Sequence, residues 1–296
     1  HSACTSQMEG RCASDARMSH GSPWRLPLRI APDVRCIPVG AGPSNVYLVT
    51  GRRTAFVDAG YADVASIKAL INAWQDAGSP EVAAIVLTHR HLDHIGGAAG
   101  LAKVTGGPLL ATAEEKPHIE QHLNGGLAIR EVADGEAFDL GGASLEIVHS
   151  PGHTMGSLCV FHRERSLLFT GDTVLGDSST SINPTQGDMA LYLKTLQKLI
   201  EYDAEIIAPG HGPVITNPEA NLKDLIARRL KRERQLVEAL GREPATVEEL
   251  RHELYPELQT NLHRAAGNQI ASHLVKLARE GRVLPPSTDG GAYSLL

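Results

Sequence analysis

The sequence predicts an α/β protein in which two mixed β-sheets pack face to face with helices outside, followed by a helical C-terminal module. Short β-branched and apolar runs occur in two batches along the chain, and helical periodicity accompanies each batch. After about Pro218 the sequence becomes charged and helical. These observations divide the chain into a tail over residues 1–27, a main domain over residues 28–217 and a helical module over residues 218–296.

The overall composition excludes several classes of protein. The 296 residues are 42% hydrophobic and 21% charged, which is typical of a globular chain with a sizeable core. No run reaches the roughly 18 apolar residues of a membrane-spanning helix, so no membrane partner is predicted. A net charge of −6 argues against polyanion binding by the whole surface, and 4% aromatic residues argue against an extended base-stacking platform.

Cysteine usage and the N-terminal segment define the expected environment. Four cysteines without CxxC spacing are too few to cross-link a chain of this length, so we expect a reduced, cytoplasmic setting. Residues 1–27 are polar and lack the apolar run of a secretory signal, and we expect a disordered tail or a cloning remnant there. Cys159 lies within a predicted strand and is expected to be a small core residue.

The first batch of elements begins at Arg35. Gly, Pro and Ser turns separate three predicted strands, at Arg35–Val39, Asn45–Thr50 and Thr54–Asp58. Apolar residues at helical spacing then predict a helix over Ala62–Ala77, which Gly78 ends. The continuous apolar run Val82–Leu87 has the length of a strand and is predicted to be buried on both faces.

The remaining elements of the main domain continue both patterns. Further helices are predicted at Gly97–Val104, Glu114–Leu123 and Met189–Glu201. Further strands are predicted at Pro108–Thr112, Ser144–His149, Ser157–His162, Ser166–Thr170 and Glu205–Ala208. The later strands supply the second sheet, and the helices cover the outer faces.

The C-terminal module begins with a long helix over Pro218–Leu240 that carries the charge run ARRLKRER. A short helix over Glu248–Leu254 follows, with Thr246 as its N-cap. An amphipathic helix over His263–Glu280 ends at Gly281. The final VLPPSTDGGAYSLL predicts a β-hairpin with an Asp-Gly-Gly turn. Three helices and a hairpin in this order predict a winged helix-turn-helix.

A dense group of metal-ligand residue types follows the strand Val82–Leu87. The segment THRHLDHIGG places three imidazoles and one carboxylate within six residues, at His89, His91, Asp93 and His94. In extended backbone the two residues of a His-x-His pair point the same way, and Asp93 and His94 turn toward a second point. The following glycines allow a tight turn into the next helix. A solvated polar loop is the alternative interpretation, and this density of ligand types argues against it.

Three later strand ends present the same chemistry. Apolar strands run into glycine-containing turns that carry His153, Asp172 and His211. Four strand ends with ligand residue types imply convergence on one site. One catalytic cation takes three or four protein ligands, so five His and two Asp suit two cations that share a bridging carboxylate. Imidazole and carboxylate ligands favour zinc, with iron or manganese as alternatives.

These residues resemble the metallo-β-lactamase-fold hydrolase superfamily, whose signature HxHxDH matches residues 89–94 and whose later ligands match at three further positions. The likeness spans roughly Arg35 to Pro213 and implies a four-layer αββα sandwich. It implies a first metal held by His89, His91 and His153. It implies a second metal held by Asp93, His94 and His211, with Asp172 as the bridge. Asp58, in FVDAG, matches a position that orients a ligand imidazole, and a strand-end turn cap is the alternative.

The C-terminal sequence resembles the subgroup with an appended winged helix, typified by the mitochondrial lactamase-beta-like endoribonuclease and its bacterial relatives. By this resemblance two cations activate a bridging hydroxide that attacks a carbonyl or phosphoryl centre, with Asp93 and Asp172 as catalytic residues. True zinc β-lactamases generally carry Cys or Ser where this chain has Asp172, so only weak, promiscuous β-lactam hydrolysis is expected.

For the substrate, the sequence leaves two classes open. The first choice is a carboxylic ester, thioester or lactone, and single-stranded RNA is the alternative. RNA binding would use basic residues of the module, namely Arg228, Arg229, Lys231, Arg232, Arg264 and Lys276. Solvated helix faces are the other interpretation of these residues. We expect residues 40–44 and 175–187 to form walls of the pocket.

Overall fold

The computed structural model describes residues 28–123 and 126–296, so the predicted tail lies outside the described residues. The first sheet contains seven strands in sequential order: β1 (Leu28–Ala31), β2 (Val34–Val39), β3 (Ser44–Thr50), β4 (Thr54–Val57), β5 (Val82–Val86), β6 (Leu109–Ala111) and β7 (Ile129–Glu131). The strands from β1 to β4 pair antiparallel. The strands from β4 to β7 pair parallel.

The second sheet contains five strands: β8 (Ala137–Asp139), β9 (Ser144–His149), β10 (Leu158–His162), β11 (Leu167–Gly171) and β12 (Ile206–Pro209). Their spatial order is β12-β11-β10-β9-β8. All neighbours pair antiparallel except β11 and β12, which are parallel.

Within the described ranges, eight α-helices accompany the sheets: α1 (Val64–Asp76), α2 (Leu92–Ile95), α3 (Ala98–Thr105), α4 (Lys116–His122), α5 (Met189–Ile200), α6 (Pro218–Leu240), α7 (Val247–Leu254) and α8 (His263–Arg279). Side-chain caps begin several of them as the sequence implies. Asp63 accepts from the Ser66 N–H at the start of α1, and Thr246 and Glu249 form a capping box at the start of α7. None of the helices in the described ranges is long and apolar enough to cross a membrane.

The strands alternate between two apolar layers. Tyr47 and Val49 of β3 face the other sheet, whereas Val46 and Leu48 face the first-sheet helices. Strand β5 divides in the same way and is buried on both faces, as predicted. A third cluster packs the second sheet against α5 and α6. The predicted four-layer αββα sandwich is therefore confirmed.

Three strands were not predicted: β1, β7 and β8. Each has only three or four residues, and Ile129–Glu131 and Ala137–Asp139 carry charged residues at most of their exposed positions. Backbone pairing with a neighbouring strand defines these elements, whereas their composition is that of a loop. Strands this short do not contain enough residues for an alternating hydrophobic pattern to be recognised in the sequence.

The C-terminal module has its own small core. Leu236, Leu250 and Leu274 bring α6, α7 and α8 together. Helix α6 also packs against the second sheet, through Leu222 and Leu225, so one helix belongs to both parts. The predicted hairpin exists as β13 (Val283–Leu284) and β14 (Ser294–Leu295), but residues 285–293 form a longer connection than the predicted tight turn.

Candidate metal centre

Five strands end at one edge of the sandwich, and the candidate side chains follow these ends. In the first sheet β4 and β5 run parallel, so their carboxyl ends lie side by side. In the second sheet β9 and β11 are both antiparallel to β10, and β12 is parallel to β11, so these three also end together. The turns that follow bring all seven candidate ligands into two adjacent groups.

The first group contains three imidazoles and one carboxylate. Its members are His89, His91, His153 and Asp172, whose ligand atoms lie within 4.8 Å of one another. The Nε2 atoms of His89 and His153 lie 3.0 and 3.1 Å from Nδ1 of His91. Oδ2 of Asp172 is 3.8 Å from His153 Nε2 and 4.0 Å from His89 Nε2. Four ligands from three separate loops thus surround one point.

The second group consists of Asp93, His94 and His211. Oδ2 of Asp93 and Nε2 of His94 lie 3.1 and 3.3 Å from Nε2 of His211. The other oxygen of Asp172, Oδ1, is 3.2 Å from His94 Nε2 and 3.5 Å from His211 Nε2. Asp172 therefore stands between the groups and directs one carboxylate oxygen toward each.

Glycine is required where β12 ends. A Cβ atom on Gly210 would lie 2.6 Å from Asp172 Oδ1 and 2.7 Å from the ring of His94. The backbone that delivers His211 therefore passes so close to the two groups that no side chain fits at the preceding position. This contact explains the glycine of the Pro-Gly-His segment.

Each of the five imidazoles has an acceptor beside its outward ring nitrogen. The pairs are His89 Nδ1 with Thr88 Oγ1, His91 Nε2 with Gln186 Oε1, His94 Nδ1 with Asp58 Oδ2, His153 Nδ1 with the Ser181 carbonyl, and His211 Nδ1 with the Pro43 carbonyl. Acceptors in these positions favour an N–H on the outward side, which in a neutral ring leaves the inward nitrogen free to bind a metal. All five imidazoles are therefore oriented as metal ligands require.

The donor set fits divalent cations. Inward nitrogens of neighbouring rings lie 3.0 to 3.3 Å apart, and tetrahedral zinc with its usual Zn–N bonds separates two nitrogens by about 3.3 Å. Oδ1 of Asp172 is buried and has no hydrogen-bond partner. A cation in each group would satisfy the lone pairs and this orphaned oxygen together.

Burial and the nearby carboxylates control the charges of the two groups. Burial lowers the pKa of His153 to about 4, which keeps the ring neutral and able to bind a metal. Burial would raise the pKa of Asp172, but the surrounding imidazoles lower it well below its ordinary value. Burial is also outweighed at His94, whose pKa is raised by Asp172 and Asp58. The carboxylates thus create a field that favours positive charge between the groups.

Asp58 holds the side chains of two candidate metal ligands in place through hydrogen bonds. It is buried at the end of β4, where Oδ1 accepts from the Thr88 N–H at 2.8 Å. Its Oδ2 accepts from Thr88 Oγ1 at 2.9 Å and from His94 Nδ1 at 2.7 Å. Thr88 in turn accepts from His89, so Asp58 orients one imidazole directly and another through a hydroxyl. This geometry favours the ligand-orienting interpretation over a simple turn cap.

Sequence reasoning missed a buried ion pair that joins two ligand loops. Glu115 accepts from Nε and Nη2 of Arg90 at 2.7 Å each, and from the backbone N–H of Arg90 at 2.9 Å. The same carboxylate accepts from the Gly156 N–H, in the loop after His153. The only signal in the sequence was the arginine inside the His-x-His pair, and it does not reveal the distant glutamate.

Replacing Glu115 by glutamine is expected to lower the free energy of unfolding by about 3 kcal/mol, because it leaves the largely buried Arg90 guanidinium without a counter-charge. Burial opposes ionisation of Glu115, but Arg90 lowers its pKa below the ordinary 4.5. The pair's contribution is therefore present above pH 4.5 and is lost as the pH falls through the lowered pKa. Urea unfolding at pH 7 and at pH 4 measures both effects.

Glu131→Gln is the matched control for this experiment, because Glu131 pairs with Lys116 at the surface and is 56% exposed. Its loss is expected to stay below about 1 kcal/mol. Equal losses for the two variants would show that the Arg90–Glu115 pair has no special role in stability.

A cleft of about 310 Å³ opens beside the first group. It is lined by His91 and His153, by Ser181, Asn183 and Gln186 of the main domain, and by Asn261, Arg264, Ala265 and Asn268 of the module. Residues 175–187 thus form one wall, as predicted, and the N-terminal part of α8 forms another. The Pro43 carbonyl places residues 40–44 beside His211. The module therefore shapes access to the metal centre.

The six basic candidates for nucleic-acid contact do not form one surface. Arg229 is buried and donates to the Thr180 carbonyl, and Lys276 is largely buried and pairs with Glu233. Both side chains are engaged within the protein, although Arg229 also lines a neighbouring cleft, and their predicted role in nucleic-acid contact stays a prediction. Arg228, Lys231, Arg232 and Arg264 line two neighbouring clefts, and their role stays a prediction.

The fold and the site together define a metal-dependent hydrolase. The family description "Metallo-beta-lactamase superfamily" matches residues 39–211, and "Beta-lactamase associated winged helix domain" matches residues 246–289. The chain belongs to the metallo-beta-lactamase superfamily and carries the associated winged helix domain. Both agree with the resemblance seen in the sequence.

Curated relatives cover most of the chain. The beta-lactamase-like protein 2 homolog of Drosophila melanogaster is 28% identical over 253 residues, which are 81% of this chain and 84% of the relative. The atrochrysone carboxyl ACP thioesterase of Emericella nidulans is 29% identical over 211 residues, which are 71% of this chain and 64% of that protein. Relatives of this chain therefore include proteins named as thioesterases.

Solved structures share the fold. A beta-lactamase domain protein from Burkholderia ambifaria has a TM-score of 0.80 at 20% identity and covers 93% of this chain and 94% of its own. A metallo-beta-lactamase family protein from Thermus thermophilus has a TM-score of 0.75 at 24% identity, over 90% of this chain and 100% of its own. Both comparisons extend over the sandwich and the module.

Proposed function

We propose that this protein is a binuclear zinc hydrolase that cleaves a carboxylic ester, thioester or lactone. The observation that carries the proposal is the position of Asp172, whose two oxygens face two separate ligand groups. A single metal in the first group would leave Asp93, His94 and His211 as a second group of ligand side chains with no metal to bind. The imidazole and carboxylate ligands favour zinc, and iron or manganese are the alternatives.

The chain's own residues perform three tasks in this proposal. Bound divalent cations supply an activated water and a Lewis acid at neutral pH. Asp172 holds the two groups at a constant separation, and Asp58 prevents the His94 ring from turning. Asp93 is the more exposed of the two ligand carboxylates, and we assign it the proton that the attacking water releases. The cleft beside His91 and His153 receives the substrate.

Several observations favour a carboxylic substrate over a phosphodiester. Two curated relatives are named atrochrysone carboxyl ACP thioesterases. The cleft at the metal centre has a volume suited to a small molecule and is lined mainly by neutral amides and hydroxyls, with Arg264 as its one guanidinium among the described residues. A nucleic-acid groove needs a longer cationic track, whereas Lys276 is paired with Glu233 and the other basic candidates are confined to two clefts.

A substrate panel at equal concentrations tests the proposal. We expect the zinc-loaded protein to hydrolyse at least one thioester, ester or lactone with kcat/KM at least about 100-fold above its cleavage of single-stranded RNA. Liquid chromatography of the products measures all classes alike. Asp172→Ala protein, purified in parallel, is the control for contaminating hydrolases. Salt-sensitive RNA cleavage that exceeds every carboxylic activity, and that disappears in Asp172→Ala, would reverse the assignment.

A further inference from the structure

A second cleft, larger than the first, lies where the module meets the main domain. Its volume is about 550 Å³, within the range of small-molecule sites. We call it the arginine cleft because Arg228, Arg229, Lys231 and Arg232 of α6 line it. Gln269 of α8 and the segment 179–181 of the main domain complete its polar walls.

The charge of the arginine cleft is opposite to that of the chain. Among the residues that the structure describes, four cationic side chains line it and no carboxylate does, although the protein has a net charge of −6. Arg228 is paired with Asp224 one turn away. Within residues 28–123 and 126–296, Arg229, Lys231 and Arg232 have no carboxylate within 4.0 Å. The cleft therefore concentrates uncompensated positive charge.

Buried donors in the cleft walls lack acceptors. Nε of Arg229, Nη1 of Arg232 and Nε2 of Gln269 are buried without a hydrogen-bond partner in the described structure. Arg229 and Gln269 are only 7% and 8% exposed. An unpaired buried donor destabilises the folded protein, and more so when it is charged. These three nitrogens have almost no accessible surface, so an occupant of the cleft meets the exposed parts of Arg228, Lys231 and Arg232, whose positive charge favours acceptor oxygens and negative charge.

The arginine cleft is joined to the metal centre through two residues. Nη2 of Arg229 donates to the Thr180 carbonyl at 2.7 Å, while Thr180 Oγ1 lies 3.0 Å from Nδ1 of the ligand His153. Ser181 and Ala265 line both clefts. A ligand anchored by the arginines can therefore extend directly into the cleft beside the metal ligands.

Apolar side chains also line the arginine cleft. They are Leu258 and Leu262, together with the ring of Tyr255, which the Arg232 guanidinium covers at 4.2 Å. An occupant therefore meets both cations and apolar side chains. A phosphate attached to an organic body matches both, whereas a free inorganic anion uses only the cations.

We propose that the arginine cleft binds the phosphate-bearing part of the substrate, while its acyl thioester lies at the metal centre. This inference rests on the proposed function and identifies the substrate as a small acyl thioester of a phosphorylated thiol. The cations form one compact cluster inside a cleft, which suits a single anionic group better than the repeated charges of a nucleic-acid backbone.

Two substrates with the same acyl group separate the contribution of the phosphates: an acyl-coenzyme A and the corresponding N-acetylcysteamine thioester. We expect wild-type kcat/KM to favour the coenzyme A ester. In Arg232→Gln the ratio of the two kcat/KM values should fall about 10-fold or more, mainly through KM, because a charged hydrogen bond contributes about 1.5–3 kcal/mol. The ratio should not change in Arg234→Gln, whose arginine lies on the same helix and does not line the cleft.

Lys231→Gln provides a second variant that cannot disturb packing, because Lys231 is exposed on α6. We expect this variant to lower the ratio of kcat/KM for the coenzyme A ester to kcat/KM for the N-acetylcysteamine ester about 3-fold or more. The effect is small because the variant removes one solvated charge from the anion site. Unchanged ratios in both Arg232→Gln and Lys231→Gln, with melting temperatures like that of the wild type, would overturn the inference.

Direct binding separates this inference from the proposed function. Calorimetry with adenosine 3′,5′-bisphosphate should show binding that weakens about 10-fold in Arg232→Gln and persists in Asp172→Ala. Binding without hydrolysis of any thioester, ester or lactone would retain the anion site and refute the proposed function. Thioester hydrolysis with no such binding and no coenzyme A preference would retain the function and refute the anion site. Displacement of the bisphosphate by a single-stranded RNA oligonucleotide at lower concentration would assign the cleft to nucleic acid and overturn the proposal.

Discussion

Asp172→Ala is expected to lower kcat/KM by at least about 10³-fold, because a bound metal pair contributes several kcal/mol to the reaction and this carboxylate is common to both ligand groups. Its Oδ1 lies 3.2 Å from His94 Nε2 and its Oδ2 lies 3.8 Å from His153 Nε2. No other ligand side chain faces both groups in the described structure. Steady-state hydrolysis of the best thioester or lactone measures the loss.

Metal content provides the second measurement for this variant. We expect elemental analysis to find about two metals per wild-type chain and fewer in Asp172→Ala, since each group then loses one of its four ligands and with it part of its affinity for metal. The fold should persist, because the apolar clusters on both sides of the sheets do not include this residue. Far-ultraviolet circular dichroism and thermal melting test that expectation.

Asp76→Ala is the matched control, since Asp76 is an exposed carboxylate at the C-terminal end of α1. It should leave both turnover and metal content unchanged. Near-normal activity or full metal content in Asp172→Ala would contradict the bridging role and with it the binuclear proposal.

The second large effect is expected for Asp58→Asn, which should weaken metal binding by about 10- to 100-fold. The Asp58 carboxylate accepts from three donors, namely the Thr88 N–H, the Thr88 hydroxyl and His94 Nδ1. An asparagine amide has one acceptor oxygen, so its NH₂ group must face at least one of these donors. If the NH₂ group faces His94, that ring loses its acceptor, and if it faces the Thr88 N–H, the loop that carries His89 loses its anchor.

Asparagine is the informative replacement because the Asp58 backbone is left-handed, with φ of 66°, a conformation that asparagine adopts more readily than alanine. Metal affinity is measured by competition with a chromophoric chelator, and turnover is measured at saturating zinc. We expect activity to recover in part when zinc is raised, which distinguishes weakened binding from a damaged fold.

Asp63→Asn is the control for this second variant. Asp63 caps α1 through the Ser66 N–H, lies near the same edge of the sheet, and contacts no metal ligand. Asparagine caps a helix as well as aspartate does, so little change is expected. If the Asp58 and Asp63 variants bound zinc with the same affinity, Asp58 would be a turn residue only.

Much of the sandwich follows from local pattern. The apolar run at 82–87 predicted a strand buried on both faces, and the structure divides its residues between the inter-sheet layer and the helix layer. The short strands β7 and β8 were not predicted, because each has only three residues and includes charged side chains, so no alternating pattern is visible. Their pairing depends on neighbours that come from elsewhere in the chain.

At the candidate site, too, local sequence predicted some features, whereas others depend on segments that are distant in the chain. The dense spacing of His89, His91, Asp93 and His94 pointed to metal chemistry, and strand-end turns pointed to the other ligands. The acceptors behind the rings were invisible, because Gln186 and Ser181 lie far from their imidazoles in sequence. The Arg90–Glu115 pair was invisible for the same reason.

The sequence by itself determined the layer order, the winged helix and the residues that converge at the strand ends, because side-chain periodicity and glycine-containing turns are local properties of the chain. Only the tertiary structure decided that Asp172 stands between two groups, that all five imidazoles have an acceptor beside the outward ring nitrogen, and that a cationic cleft adjoins the candidate metal centre. These features depend on distances between segments far apart in sequence, and such distances exist only once the two sheets and the module have packed.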